Sequence, residues 1–392
     1  MGSAVIVDIV RTGSGKGKPG GALSQIHPVN LLADTLGALL ERNDLDPATI
    51  DDVIAGCVSQ AGEQALNIAR TAILAAGIPE SVPGTTVDRQ CGSSQQAVHF
   101  AAQGVIAGAY DIVVACGVES MSRVPMGYSS VDQDPNRAPL AARYPDGLIG
   151  QGVSAELIAA RWNIDREALD QYSARSHQLA AQVTEAGGFK NEIIPITVDG
   201  RVHDVDQTIR ASTTVEGLGG LKPSFADDEL HKRFPEINWS ITPGNSSPLT
   251  DAASAVLIMS EKKASELGLT PRARFTDFAV TGSDPLLMLT GVIPATEKVL
   301  ARAGMSIDDF DAYEVNEAFA PVPLAWQQDL KADPEKLNPR GGAIALGHAL
   351  GASGIRLLAT LVNHLEATSG RYGLQTMCEG GGMANATIIE RL

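Results

Sequence analysis

The sequence has only four cysteines, Cys57, Cys91, Cys116 and Cys378, and none of them forms a CxxC pair. Their spacings do not fit a zinc site, and a chain of 392 residues needs no disulfide staples. Free thiols in a reducing, cytoplasmic setting are the expectation. Aromatic side chains are scarce, at 4%. Positive charge is also short: 30 Lys and Arg against 46 Asp and Glu leave a net charge of −16. Such a chain repels polyanions, so neither nucleic acid nor an anionic membrane is an expected partner. An anionic small molecule would need a local patch of positive charge. No apolar run reaches the roughly 20 residues of a membrane span. The opening run Ala4-Val5-Ile6-Val7 is strand-like and lacks the basic and apolar regions of an export signal.

What the chain has in quantity is small and apolar residues: 44% apolar, with 40 glycines. This is the composition of a folded α/β protein of more than one domain. Residues 4–10, 53–58 and 112–115 read as strands. Residues 28–42, with Leu31, Leu32, Leu36, Leu39 and Leu40 on one side, and residues 65–76 read as helices. That alternation implies a mostly parallel sheet covered on both faces. From about 119 to 250 the texture changes, with Pro, Asp, Arg and Gly dense around 124–152. One long helix is expected there, between Asp165 as N-cap and a stop at Gly187-Gly188. After Thr250 the α/β rhythm returns, at 252–259, 294–303 and 310–315.

The chain also resembles itself. Ile50-Asp51-Asp52-Val53 and the residues after it match Ile307-Asp308-Asp309-Phe310 and those after it, 257 residues on (307 − 50). Cys91 and His348 stand at the same separation (348 − 91), and Cys116 and Cys378 at 262 (378 − 116). Two duplicated α/β halves are the expectation. Packed about a pseudo-twofold axis, they would bring Cys91 of one half and His348 of the other to one place.

Four stretches carry chemistry. Cys91 follows a strand-like run and precedes a helix starting near Ser93. A thiol there feels free N–H groups and the positive end of the helix dipole, which favour thiolate; a lone cysteine is otherwise a small buried hydrophobe. His348 lies in Gly341-Gly342-Ala343-Ile344-Ala345-Leu346-Gly347-His348-Ala349-Leu350-Gly351-Ala352-Ser353-Gly354. The spacing suits neither a dinucleotide fingerprint nor a P-loop. An imidazole on such a loop can serve as base for Cys91. Cys378 precedes Glu379-Gly380-Gly381-Gly382, whose N–H groups suit an oxyanion, or simply a tight turn. Asn316 in Glu314-Val315-Asn316-Glu317-Ala318-Phe319-Ala320 can orient a water or a carbonyl, or act as a helix cap.

Together and in this order, these blocks resemble those of the thiolase family across nearly the whole chain. The resemblance implies an α/β fold of duplicated thiolase-like halves in a layered αβαβα core with a loop/helix insertion domain. Its divisions are 1–118 plus 251–270, an insertion at 119–250, and 271–392. It implies CoA-dependent cleavage of a 3-ketoacyl-CoA, or the reverse condensation, through an acyl-Cys91 intermediate. Cys91 is then the nucleophile, and His348 its proton acceptor. Asn316 holds a water in a first oxyanion hole. Cys378 exchanges a proton with C2 of the acetyl unit. The N–H groups of Cys91 and Gly380 form a second hole. Ser247, Ala318 and Phe319 match positions touching pantetheine, and Lys222 stands near the nucleotide end of CoA. CoA is the substrate, with no metal or other cofactor, and a homodimer or homotetramer is implied. Two oxyanion holes and two thiols suit a reaction that must stabilise both a tetrahedral oxyanion and an enolate.

The chain departs from the family pattern in places. The usual Cys-Ser-Ser-Gly is Cys91-Gly92-Ser93-Ser94, and the usual His-Pro is His348-Ala349. Gly150-Gln151-Gly152 stands where short-chain biosynthetic thiolases often carry His-Met-Gly, which points to a roomier acyl pocket and a degradative role. The alternatives are a short-chain acetoacetyl-CoA thiolase, a ketoacyl synthase, which usually pairs its cysteine with two histidines, and a non-catalytic acyl-CoA-binding protein.

Overall fold

The computed structural model describes residues 2–135 and 139–392. Nine principal strands form one continuous sheet: Ala4–Thr12 (β1), Asp52–Gly56 (β2), Gly84–Val87 (β3), Ile112–Ser120 (β4), Thr250–Ser260 (β5), Ala273–Gly282 (β6), Ala312–Val315 (β7), Tyr372–Glu379 (β8) and Met383–Arg391 (β9). Their order is β7-β8-β9-β6-β1-β5-β4-β2-β3, with two short strands added on β5 and β1. The principal helices are Pro28–Arg42 (α1), Ile68–Ala75 (α2), Ser93–Ala107 (α3), Gln151–Arg161 (α4), Arg166–Glu185 (α5), Val292–Ala303 (α6), Pro321–Leu330 (α7) and Ser353–Thr368 (α8).

The expected mostly parallel sheet is corrected. Among the principal strands only β2–β3, β2–β4 and β7–β8 pair in parallel. The rest are antiparallel; β5 returns beside β4 after the long segment that carries α4 and α5, and β9 directly after β8. β9 follows β8 through Gly380-Gly381-Gly382, where Gly381 and Gly382 take φ of +81° and +79°, and so tight a turn reverses the chain.

Duplication is plain in the sheet. In the first half β3, β2, β4, β5 and β1 pair parallel, parallel, antiparallel, antiparallel. In the second half a parallel bridge from Leu337 to Tyr313, then β7, β8, β9 and β6, repeats the pattern. The repeat distance, however, is 260 and not 257. Asp51 Oδ2 accepts from the backbone N–H of Asp111 and Ile112, and Asp311 Oδ2 accepts in the same way from Arg371 and Tyr372 (311 − 51 = 260). Helices α3 and α8 begin at Ser93 and Ser353, again 260 apart (353 − 93). The adjacent aspartates of each half let the sequence match slip by three. In the correct register Cys91 corresponds to Gly351, and Cys116 to Thr376, so neither Cys91 with His348 nor Cys116 with Cys378 is a symmetry pair. A β-bulge sits at the same place in β1 (Ile6/Asp8) and in β6 (Phe275/Asp277), and the aspartate after each bulge accepts from the next N–H, of Ile9 and of Phe278.

Alternating side chains along the strands build the layers. Val53 and Ala55 of β2 face outward onto α1 and α2, while Ile54 between them faces inward onto α3 and α8. The outer face of the second half packs Tyr313, Val315 and Leu374 against α6 and α7. The result is αβαβα, as expected, with α3 and α8 forming the central layer. Helix α8 is buried nearly all round, which suits a helix between two sheets. The α3–α8 contact depends on Gly354, where an added Cβ would stand 2.7 Å from Gln95 Cβ and overlap Gln95 backbone. Gly354→Ala is therefore expected to cost about 2–3 kcal/mol through overpacking, read as a lower urea midpoint with an unchanged slope.

The stretch between β4 and β5 carries α4, α5 and shorter elements; residues 136–138 of the loop-rich part lie outside the described residues. Helix α5 starts as expected, with Asp165 accepting from Ala168 N–H at 2.8 Å. The insertion is tied to β1 by Arg11, fully buried and bonded to Glu192 (2.7 Å) and Asp206 (2.7 and 3.0 Å). A buried cluster of this kind specifies where the parts sit more than it stabilises them.

Candidate active site

Cys91 is held by a turn that the local sequence dictates. Asp88 Oδ1 accepts from Gln90 N–H at 2.7 Å, and Gln90 takes the left-handed φ of +49°. Ser93 Oγ donates to Gln90 O at 2.6 Å and accepts from Arg89 N–H at 2.9 Å. Helix α3 then starts two residues past the thiol. Cys91 Sγ faces its own N–H and that of Gly380, from the turn after β8. Burial first, and then the nearby Glu379, push the thiol up to about 12 against the two N–H groups.

His348 comes from the glycine-rich loop before α8. Its N–H donates to Thr250 Oγ1 at 3.0 Å, and its Nδ1 lies 2.7 Å from Ser353 Oγ. Ser353 Oγ already donates to Ala349 O at 2.8 Å, so it must accept from Nδ1–H. That fixes the tautomer and leaves the Nε2 lone pair for chemistry. Asn316 Nδ2 stands 3.4 Å from Nε2. Burial, with help from Arg356, holds the imidazole neutral, its pKa lowered to about 3. Because the neutral imidazole persists well below the ordinary 6.5, kcat/KM should show no acid limb between about pH 5.5 and 7. A fall centred near pH 6.5 in a pH–rate profile would contradict this assignment.

Asn316 follows β7 and keeps its N–H on Thr376 O at 3.1 Å, which carries it alongside β8. Its side chain hydrogen-bonds Cys378, while Oδ1 is buried with no protein partner and so can accept from a water. Cys378 is raised by burial first, then by Cys91 and Glu379. Met121, Leu350, Leu357 and Met377 pack around Cys91. Thus Cys91, Gly380, Cys378, Asn316 and His348 form one buried cluster linked by successive contacts, drawn from both halves. Among the described residues no hydrogen bond joins Cys91 to His348 directly. Cys91 keeps 6% exposure and His348 4%, whereas Cys378 has none, so an incoming group meets Cys91 before Cys378. Cys57 and Cys116 lie in the core, both raised by burial and both inert.

Of the other candidates, Ser247 joins Ala318 through N–H (3.0 Å) and Oγ (3.1 Å) bonds to its carbonyl, and Ser246 bridges Phe319. Phe319 meets Phe225 edge-on at 6.1 Å. Lys222 is exposed on the loop leading to Phe225. It is not drawn into the Cys91 pocket.

Three supporting residues escaped the sequence reading. Ser353 orients His348. Glu317 accepts from Tyr172, Ser176, Asn338 and the Ile344 N–H, and so locks the Asn316 strand to the His348 loop. Glu119 accepts from the N–H groups of Val58, Ser59 and Gly351 and from Gln64, clamping the same loop to the first half. Glu317 and Ser353 had a signal in their places within the Asn316 and His348 blocks, and Glu119 had none. Among the described residues no group of three or more His, Cys, Asp or Glu is placed to hold a metal ion, and no helix is long and apolar enough to cross a membrane.

Comparison with known proteins identifies the family. The family models described as thiolase, N-terminal domain and thiolase, C-terminal domain match residues 4–262 and 269–391. The chain is 48% identical to the steroid 3-ketoacyl-CoA thiolase FadA6 of Mycobacterium tuberculosis, covering all of this chain and 95% of that one. It is 45% identical to a 3-ketoacyl-CoA thiolase of Photobacterium profundum over the full length of both. The crystal structure of the Bacillus anthracis acetyl-CoA acetyltransferase superposes with a TM-score of 0.90 at 37% identity, covering 100% of this chain and 99% of that one. The chain belongs to the thiolase family of acyltransferases.

Proposed function

We propose that this thiolase works in the degradative direction on a 3-ketoacyl-CoA with a medium or bulky acyl group, using Cys91 as nucleophile. Cys91 Sγ attacks C3 and passes its proton to His348 Nε2. The C2–C3 bond breaks, and C2 takes a proton from Cys378, releasing acetyl-CoA. Incoming CoA gives its thiol proton to the Cys378 thiolate, and its sulfur attacks acyl-Cys91. The departing Cys91 thiolate recovers its proton from His348. Both thiols and the imidazole end as they began, neutral. The N–H groups of Cys91 and Gly380 serve the oxyanion at C3, while His348 and a water on Asn316 serve the enolate oxygen of the acetyl thioester. The observation that carries this reading is the meeting of two thiols, one tautomer-fixed imidazole and two N–H groups in one buried cluster.

Ser247, Ala318 and Phe319 would line the pantetheine arm, with Lys222 toward the nucleotide end of CoA. CoA is substrate, and the reading calls for no metal or other cofactor. It divides the chain into halves 1–118 plus 251–270 and 271–392 around a CoA-binding domain at 119–250. A homodimer or homotetramer in the cytoplasm completes it, in keeping with four free cysteines and an uncovered outer edge on β3.

Support for a bulky acyl group comes from the substrate named for the mycobacterial relative and from glycine standing at position 150, which is exposed and has open space around an added Cβ. The measurement is kcat/KM across a 3-ketoacyl-CoA panel. A preference of about tenfold or more for longer or bulkier acyl groups is expected, at roughly 1–3 kcal/mol per well-filled pocket group. A preference for acetoacetyl-CoA would favour the short-chain alternative.

A further inference from the structure

The carboxyl of Glu379, at the end of β8, is fully buried, and neither of its oxygens has a hydrogen-bond partner. An unpartnered buried carboxyl is costly and calls for an explanation. It lies over Gly92, the residue after Cys91. A Cβ on Gly92 would overlap Glu379 Oε1 and stand 2.8 Å from Cδ and 3.2 Å from Cγ. Gly92 has φ −89° and ψ 12°, which other residues also adopt, so the backbone does not demand glycine. The Glu379 carboxyl does. The departure from the family's Cys-Ser-Ser-Gly thus has a physical partner on β8.

The groups facing this carboxyl are Arg89 and Asp88 on the turn from β3, Cys91 on the same turn, and Cys378 on β8. Arg89 favours the anion and Asp88 opposes it, with Arg89 Nη1 also resting 3.8 Å from Met383 Sδ on β9. Burial outweighs both and raises Glu379 to about 9, so the acid is neutral at neutral pH. Glu119 on β4 acts on Cys91 in the same sense as Glu379, more weakly.

We propose that Glu379, seated in the space left by Gly92, is a positioning residue that sets the ionisation of Cys91 through its own charge. As a neutral acid it permits the thiolate and the oxyanion at the Cys91 and Gly380 N–H groups. As an anion it suppresses both. The catalytic part of this rests on Cys91 being the nucleophile; the electrostatic part does not.

The test is therefore iodoacetamide alkylation of Cys91, followed peptide by peptide by mass spectrometry from pH 7 to 10 in the whole enzyme, beside thiolysis over the same range. Glu379→Gln keeps the shape and removes the charge. The ratio of variant to wild-type alkylation rate should rise about tenfold across that range, as for one pKa unit, and the wild-type fall in thiolysis above about pH 9 should vanish. A constant alkylation ratio overturns the proposal. A rising alkylation ratio with parallel thiolysis profiles upholds the electrostatics and sinks the nucleophile assignment instead. A second pair of variants guards against misfolding. Gly92→Ser alone should lose activity, and Gly92→Ser combined with Glu379→Ala should recover at least about tenfold of it. Additive losses in the double variant overturn the shared-notch geometry.

Discussion

Cys91→Ala is expected to lower kcat for 3-ketoacyl-CoA thiolysis by about 10⁴-fold or more, with CoA affinity changed less than about threefold. The reason is that the thiol forms the covalent intermediate, and no neighbour can replace it. Cys57 and Cys116 are core residues, and Cys378 has no exposure and stands behind Cys91. Loss of a lone nucleophile usually costs as much as loss of the whole catalytic set. CoA affinity should survive because the candidate pantetheine contacts at Ser247, Ala318 and Phe319 lie on other segments. Steady-state kinetics with calorimetric CoA titration checks both parts. Undiminished thiolysis would revive the reading of a non-catalytic acyl-CoA-binding protein.

Cys378→Ala should divide the reaction in two. Of its two proposed tasks, proton delivery to C2 is the demanding one, since C2 exists as a nucleophile only in carbon–carbon bond making or breaking, while the CoA thiol proton is easily lost to solvent. Thiolysis should fall about 10³-fold, within the range for a general acid or base. Exchange of labelled CoA into a simple acyl-CoA forms no carbanion; there Cys378 only relays the CoA thiol proton, which CoA already ionised in solution bypasses, so exchange should stay within about tenfold of wild type. Two rates from one preparation make misfolding visible, since a disordered pocket would lose both. Equal losses would mean that Cys378 serves the site as packing and not as a proton carrier.

Much of the local structure was legible because its signals are local. Pro28 at the first helical position and the leucine face set α1 at the residues expected, 28–42. Asp165 and the Gly187-Gly188 stop framed α5. Strand direction was not legible, because nothing short of the fold itself says that β5 and β9 return antiparallel. The duplication was visible but slipped by three, since paired aspartates occur in both halves and only Asp51 and Asp311 share the backbone bonds that define the register. Cys91, His348, Cys378 and Gly380 stood out in the sequence on glycine-containing turns and Asn316 in a strand-end block without glycine, and the roles proposed for all five come from the family resemblance. The carboxylates that hold the turns in place, Glu119 and Glu317, were not distinguished, because a buried glutamate accepting four hydrogen bonds looks in sequence like any surface glutamate.

The most direct measurement is acid-quenched mass spectrometry of enzyme mixed with a 3-ketoacyl-CoA in the absence of free CoA. The account predicts one equivalent of acetyl-CoA released and the shortened acyl group on the peptide that contains Cys91. Acetyl-CoA released with no adduct on that peptide, or with the adduct on the peptide containing Cys378, would contradict it.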